Sequence, residues 1–203
     1  PTGKTETIDK AAFQNCTKLS NITIPKNVMV IMTGAFQGCS NLRKVTLQQG
    51  ILKDIADKAF ADCKLLETIT IPKNVTNIGT AAFQNCTSLK TVSIPGTVET
   101  IDDGAFSGCT GLTAVVLPSG VKAIGASTFF GCSNLGSVSI PNTVTTIKKS
   151  AFENCISLKE VTLPSNSPLV AESTFKGCTA LKTVTIPTGK TETIDKAAFQ
   201  NCT

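Results

Sequence analysis

The chain of 203 residues contains no histidine, no tryptophan and no tyrosine, and its one arginine is Arg43. Without histidine, neither a Ser–His nor a Cys–His nucleophile pair can be assembled, and no histidine-bearing zinc set exists. The missing Trp and Tyr and the lone Arg also remove the stacking platforms and guanidinium forks with which nucleic acid is gripped. Charged residues make up 16% and the net charge is +5. The lysines are spread along the chain and not gathered into a run, which serves solubility and not a nucleic-acid strip. No stretch approaches the ~20 consecutive apolar residues of a membrane-spanning helix. Pro1 opens inside a repeat with no charged and apolar leader before it. The expectation is a chain without catalytic activity, metal or other cofactor, without a nucleic-acid partner and without membrane insertion by this segment. Asp102 and Asp103 are adjacent, and they are read as solvated acids of an outer turn and not as a catalytic dyad.

What the chain does have is a period. Phe13, Phe36, Phe60, Phe83, Phe106, Phe129, Phe152, Phe175 and Phe199 each stand three residues before a cysteine, and a leucine follows three later in every complete copy. Successive cysteines are 23 or 24 residues apart, so the molecule reads as one continuous array with no linker. Counted from Leu19, eight units follow a partial unit of residues 1 to 18. Each repeats the wording L-x-x-[IV]-x-[IL]-P-x-x-V-x-x-I-x-x-x-A-F-x-x-C, as in Leu89, Val92, Ile94, Pro95, Val98, Ile101, Ala105, Phe106 and Cys109. The expected domain structure is a single array over residues 1–203.

Within a unit, the [IV]-x-[IL] step has period two and alternates with Thr or Ser, the pattern of a short strand with one buried face. Proline follows and closes it, because it has no N–H to give a ladder. The V-x-x-I pair supplies a second inward edge. The A-F segment has room for one or two helical turns, and the residue before each cysteine is Asn, Asp or Gly, types that tolerate positive φ. About eight apolar side chains at ~1.5–3 kcal/mol each cannot offset roughly 1.5 kcal/mol of ordering entropy per residue. A unit therefore folds only when stacked on others, as in a solenoid. The regularity bends at three places, each expected to bulge an outer turn. Gln48 to Leu52 lacks the proline and adds a residue, Thr188 to Thr193 also adds one, and Ser165 to Pro168 loses the valine.

Leucine-led 23-residue units with this wording resemble leucine-rich repeats, and specifically the BspA-like subclass. The resemblance covers the whole chain. It implies an α/β solenoid: a right-handed superhelix with a parallel concave sheet and short turns and helical pieces on the convex side. It further implies a cell-surface or secreted protein, a role in adhesion or in binding a protein of a host or cell surface, and no catalytic motif.

The nine cysteines share one structural position. Neighbouring strands are about 4.8 Å apart, too far for in-register Cβ atoms to meet a disulfide's ~3.5–4.5 Å, so the thiols are expected reduced and shielded. N-x-[ST] triplets occur at Asn15, Asn21, Asn74, Asn85 and Asn201, and those at 15, 85 and 201 arise from the N-C-T wording of the repeat itself. Phe130 doubles Phe129 at a position otherwise polar or small, which suggests an aromatic ring either exposed on the outer face or folded under a loop. The best recognition surface is the set of outward strand residues, displayed as parallel columns. It consists mostly of small hydroxyls with scattered positive charge and a smooth spot at Ala114, Val116 and Gly136. The candidate interaction face is Arg43, Lys44, Lys90, Thr91, Ala114, Val116, Lys159 and Lys182. Two functions follow: a non-catalytic binding or adhesion module, or a passive spacer of a larger surface protein. Finally, residues 1 to 17 repeat verbatim as 187 to 203, and both ends stop in mid-repeat. The expectations are a segment of a longer array and head-to-tail self-association.

Overall fold

The [IV]-x-[IL] and V-x-x-I steps both become strands, so each coil of the chain carries two. A computed structural model describes residues 6–166, 169–188 and 193–202. The first series follows each leucine: β2 (Asn21–Ile24), β4 (Lys44–Leu47), β6 (Thr68–Thr70), β8 (Thr91–Ser93), β10 (Ala114–Val116), β12 (Ser137–Ser139), β14 (Glu160–Thr162) and β16 (Thr183–Thr185). The second series is β1 (Glu6–Ile8), β3 (Val28–Ile31), β5 (Asp54–Ile55), β7 (Asn77–Ile78), β9 (Thr100–Ile101), β11 (Ala123–Ile124), β13 (Thr146–Ile147), β15 (Leu169–Val170) and β17 (Thr193–Ile194). All pairings are between successive coils and parallel, as in Val115 with Val138 and Ile101 with Ile124. The result is a parallel β-solenoid of about eight turns.

Proline closes every even-numbered strand except β4, where Gln48 stands in its place. The Pro carbonyl then accepts the N–H of the valine three residues on, 3.1 Å in Val75, Val98 and Val121. This turn delivers the chain to the odd-numbered strand, whose last residue is buried from β3 to β15. The odd strands join into one sheet of nine. The sequence reading treated V-x-x-I as an inward edge only; it is the most continuous sheet of the molecule.

The expected helical pieces are absent among the described residues, so the architecture is not α/β. The A-F-x-x-C segment is a chain of tight turns, and the backbone shows why it cannot be helical. Two residues per coil sit at positive φ: the one before cysteine, as Asn85 at 57° and Gly108 at 72°, and another four residues earlier, as Ala81 at 55° and Gly104 at 67°. Between them the N–H groups alternate in direction. Ala82 and Gln84 donate back within the turn, to Gly79 and Ala81, whereas Ala81, Phe83 and Asn85 donate forward to Asp103, Ala105 and Ser107 of the next coil. A helix would need every one of those donors for its own ladder.

The interior is a stack of layers. From Phe13 to Phe199 the nine rings form a single column, with centroids 5.0 to 5.6 Å apart and planes within 9°. The leucines and the inward Val and Ile residues fill the rest, and Phe36, Phe83, Phe106 and Phe152 have no exposed surface. Thr128 and Thr174 take the place of the alanine before phenylalanine and are fully buried. Their hydroxyls donate to Gly125 O at 2.8 Å and Ala171 O at 2.7 Å, so the substitution leaves no unpaired polar atom.

Irregular turns leave the layers in phase. Asn21 pairs with Lys44 but Val30 pairs with Asp54, an offset one residue longer, so the extra residue is absorbed within Gln48–Leu52. Gly50 lies against the Lys26 carbonyl, where a methyl group would collide with it, and Ile51 N–H donates to the same oxygen at 3.0 Å. At the other end Glu160 pairs with Thr183 and Leu169 with Thr193, again one residue longer. The other two irregular stretches, 165–168 and 188–193, lie partly outside the described residues, at 167–168 and 189–192.

Candidate functional site

Each even-numbered strand turns its central Val or Ile inward and the residues on either side outward, as in the exposed, buried, exposed sequence of Thr68, Ile69 and Thr70. Stacking converts this alternation into a face of parallel columns. Lys44, Thr91, Ala114 and Val116 stand on strands of that face, while Arg43, Lys90, Lys159 and Lys182 stand just before their strands, and all eight are exposed. The structure therefore brings all eight to one face. Arg43, Lys90 and Lys182 are locked into their column by N–H bonds of 2.8 Å to Ser20, Glu67 and Lys159 of the preceding coil.

The face is cationic with few anions. Lys90 meets Glu67 at 3.5 Å across one coil, an exposed pair that contributes ~0–1 kcal/mol. Arg43, Lys44, Lys159 and Lys182 have no ion-pair partner among the described residues. Between the two groups the charge vanishes: Thr113 and Gly136 succeed Lys90, with Ala114 and Val116 beside them. Val116 is 70% exposed where other coils carry Thr or Ser. Gly136 is not imposed by packing, because a Cβ there would meet only ordinary contacts at 3.7 and 4.0 Å.

Three shallow depressions mark this face. One lies among Arg43, Leu65, Glu67, Lys90, Gly111 and Thr113 at the strand entries. A second, floored by Ile71 and Pro95, lies beyond Thr70 and Ser93 at the strand exits. The third runs between Lys44 and Thr70. The sequence reading placed Glu67 in the column after each leucine but missed Leu65 and Pro95 as parts of this face. Leu65 could have been found, since it fills a column held in other units by Lys, Asn, Ser, Gly or Ala.

The even ladder is also split. Its hydrogen-bonded groups are β2-β4-β6-β8, β10-β12 and β14-β16. At the two gaps the Thr113 N–H to Lys90 O and Lys159 N–H to Gly136 O distances lengthen to 3.4 and 3.5 Å. Ile71 and Leu117 N–H reach the next coil at 3.1 Å, but Ile94 and Ile140, the equivalent residues at the gaps, make no such bond. Ile94 and Ile140 are correspondingly half-buried, whereas Leu117 and Leu163 are buried.

The other candidate chemistries are structural. Every cysteine is a free thiol, and Cys39, Cys63, Cys86, Cys109, Cys132, Cys155 and Cys178 are buried. The expectation that all nine are shielded needs correcting at the first and last described coils: Cys16 is exposed and Cys202 half-buried, because each thiol is shielded only by its neighbours in the stack. Burial pushes Cys132 and Cys178 up to about 12, with the backbone of the preceding cysteine acting in the opposite direction. Thiols so protonated are inert.

Asp102 and Asp103 lie in a turn beside the nine-stranded sheet, away from the columns. Burial, then Asp57 and Asp103, raise Asp102. Burial alone would raise Asp103 too, but the Ala126 N–H at 2.8 Å and Lys148 at 3.1 Å outweigh it and hold it low. Asp103 is thus a turn-bracing acid. No group of three or more metal-ligating side chains occurs among the described residues. No helix of the described residues is long and apolar enough to cross a membrane. Phe130 is 37% exposed, the outer-face one of the two placements its position in the repeat left open. Of the N-C-T asparagines, Asn85 gives its Nδ2 to Asp62 Oδ1 at 3.0 Å, and Asn15 and Asn85, like Asn154 of the N-C-I copy, lie over the glycine of the following coil.

Known proteins share this architecture. A leucine-rich repeat protein of T. pallidum is 26% identical with a TM-score of 0.68, over 88% of this chain and 72% of that one. The pneumococcal vaccine antigen PcpA is 26% identical with a TM-score of 0.52, over 82% of this chain and 50% of its own. A leucine-rich repeat protein from Eubacterium ventriosum, 21% identical with a TM-score of 0.52 over 96% and 80%, shares the fold. No curated protein matches in sequence. The family profile described as BspA type Leucine rich repeat region (6 copies) matches residues 6–136 and 99–203, and with that match over nearly the whole length the chain belongs to the BspA-type leucine-rich repeat family.

Proposed function

We propose that the chain is a non-catalytic protein-binding module of a cell-surface or secreted protein, engaging its ligand through the face of the even-numbered strands. The observation that carries this reading is the set of unpaired cations, Arg43, Lys44, Lys159 and Lys182, gathered on a face otherwise made of small hydroxyls and interrupted by exposed Val116. Few anchor residues of the Trp, Tyr and Arg type are present, so affinity would come from area and not from a hot spot. The family's general character as a protein-interaction repeat supports the reading, and the description of a similar structure as a vaccine antigen fits a surface location. Adhesion to a host or cell-surface protein is the role proposed. Residues 1–203 would form one right-handed array with this face on its concave side.

Site-specific photo-crosslinking tests the face directly. With the crosslinker at Thr91 or Ser139 of the even strands, serum and matrix proteins should be captured. At Thr100 or Thr146 of the nine-stranded sheet they should not. Equal capture on both faces, or none on either, would remove the reading.

A second reading is a passive spacer. Its support is the unbroken ring column and nine-stranded sheet, which make a stiff rod that needs no ligand. Charge reversal of Arg43, Lys90, Lys159 and Lys182 to Glu would leave a spacer's behaviour unchanged. Head-to-tail stacking through the half-exposed layers at Phe13 and Phe199 is proposed as self-association, to be tested by light scattering against concentration.

A further inference from the structure

We propose that the partner presents an extended acidic segment in which two carboxylates flank an apolar side chain, in the order acid-x-apolar-x-acid. This names the partner chemistry of the face assigned above and rests on that assignment.

The layout along the stack carries the inference. Reading down the column before the strands, Lys90 is followed by Thr113 and Gly136, then by Lys159 and Lys182. Lys90 and Lys159 are three coils apart, about 14 Å at ~4.8 Å per coil. Between them the surface is uncharged. Ala114 and Val116 face outward from β10, and Gly136 offers bare backbone although the fold has room for a side chain there. An extended segment rises about 3.3 Å per residue and sends residues i, i+2 and i+4 to one side. Its first and fifth side chains are therefore about 13 Å apart and its third falls midway. Carboxylates at the ends would meet Lys159, which has no ion-pair partner among the described residues, and Lys90, whose pair with Glu67 at 3.5 Å is exposed and exchangeable. The central apolar side chain would cover the Ala114 and Gly136 surface beside Val116. Reversed charges would place like signs together, and a segment with adjacent acids would satisfy one cation at most.

The test uses the full chain and a fluorescein-labelled peptide, Ser-Asp-Thr-Leu-Thr-Asp-Ser, followed by polarisation at low salt. Comparators are the same peptide with both Asp changed to Asn, with Leu changed to Ser, and permuted so that the acids adjoin. Saturable binding is expected, weakened about two- to fivefold by each comparator and by Lys159→Glu. Gly136→Glu, which puts a negative charge into the uncharged gap where the backbone has room for a side chain, should weaken it further. Both variants are checked for an unchanged circular dichroism spectrum. Equal binding of the permuted peptide would reduce the effect to general charge attraction and overturn the proposal, as would no saturable binding. If the even-face crosslinks form while the peptide fails, the partner chemistry is wrong and the face stands. If the crosslinks fail too, the face itself is wrong.

Discussion

The thiol of Cys109 donates to the carbonyl oxygen of Phe83 in the preceding coil, 3.1 Å away. The same contact recurs from Cys63 to Phe36, from Cys132 to Phe106 and from Cys178 to Phe152, each at 3.2 Å. The Phe-x-x-Cys motif is thus one device. Its ring stacks on the next ring, its carbonyl accepts from the next thiol, and both ends of the bond lie in the layer that water cannot reach. The phenylalanine N–H is spent on the next coil as well, at 2.8 Å from Phe83 to Ala105 O.

Native protein should therefore show a graded thiol pattern. Cys16 reacts at once with a thiol reagent, Cys202 more slowly, and the seven buried thiols only after urea unfolding. Residue-resolved mass spectrometry of alkylated protein reads this out. Fast labelling of Cys109 in the folded state would show that the ladder opens.

The same burial makes stability depend on alkaline pH. An unfolded thiol titrates near 9, whereas Cys132 and Cys178 are pushed up to about 12 by burial. The folded state keeps the proton while the unfolded state releases it. The thiol contribution is fully present below pH 9 and is lost between 9 and about 12. The melting temperature in reducing buffer should fall as pH rises above 9, and less steeply in Cys132→Ala. Identical slopes for the two proteins would disconnect the thiols from the effect.

The even ladder should loosen at its two gaps. Ile94 and Ile140 N–H groups lack the inter-coil bond that Ile71 and Leu117 make at 3.1 Å, so their amides should exchange at least ~10-fold faster in native-state hydrogen exchange. Uniform protection along the four would mean that the gaps are closed in solution.

The repeat, the inward layer and the even strands were legible because period-two apolar spacing and a following proline each have one physical meaning. Asn85 and Gly108 before their cysteines likewise announced positive φ. The second strand at V-x-x-I was not legible: with two residues per strand, as Thr100–Ile101, no alternation exists to read. The helical expectation failed for a related reason. Ala81, Lys58 and Ser127 look like helix-compatible residues, yet they sit at φ 54° to 55°, a conformation their side chains do not advertise. The cationic columns were visible residue by residue. The Glu67–Lys90 contact and the bare floor at Gly136 required knowing which coils adjoin.

That hidden column of positive φ gives the sharpest stability test. Gly34 and Gly104 fill it at 64° and 67°, but Lys58 fills it at 55°. A Cβ-bearing residue held there costs roughly 1–2 kcal/mol, while the long exposed side chain of Lys58 makes no ion pair among the described residues that would offset it. Lys58→Gly should therefore stabilise the protein by about 0.5–1 kcal/mol, after allowing for the extra freedom glycine gives the unfolded chain. Gly104→Ala should do the reverse by about 1 kcal/mol. The reason can only be the backbone, since the nearest atom to its new methyl would be Ser107 Cβ at 3.9 Å. Urea unfolding of the two single variants and the double variant checks both. The sites are two coils apart, so their effects should add to within about 0.5 kcal/mol. If Lys58→Gly destabilises, the lysine is held there by something other than backbone geometry, and the account of the turn column is wrong.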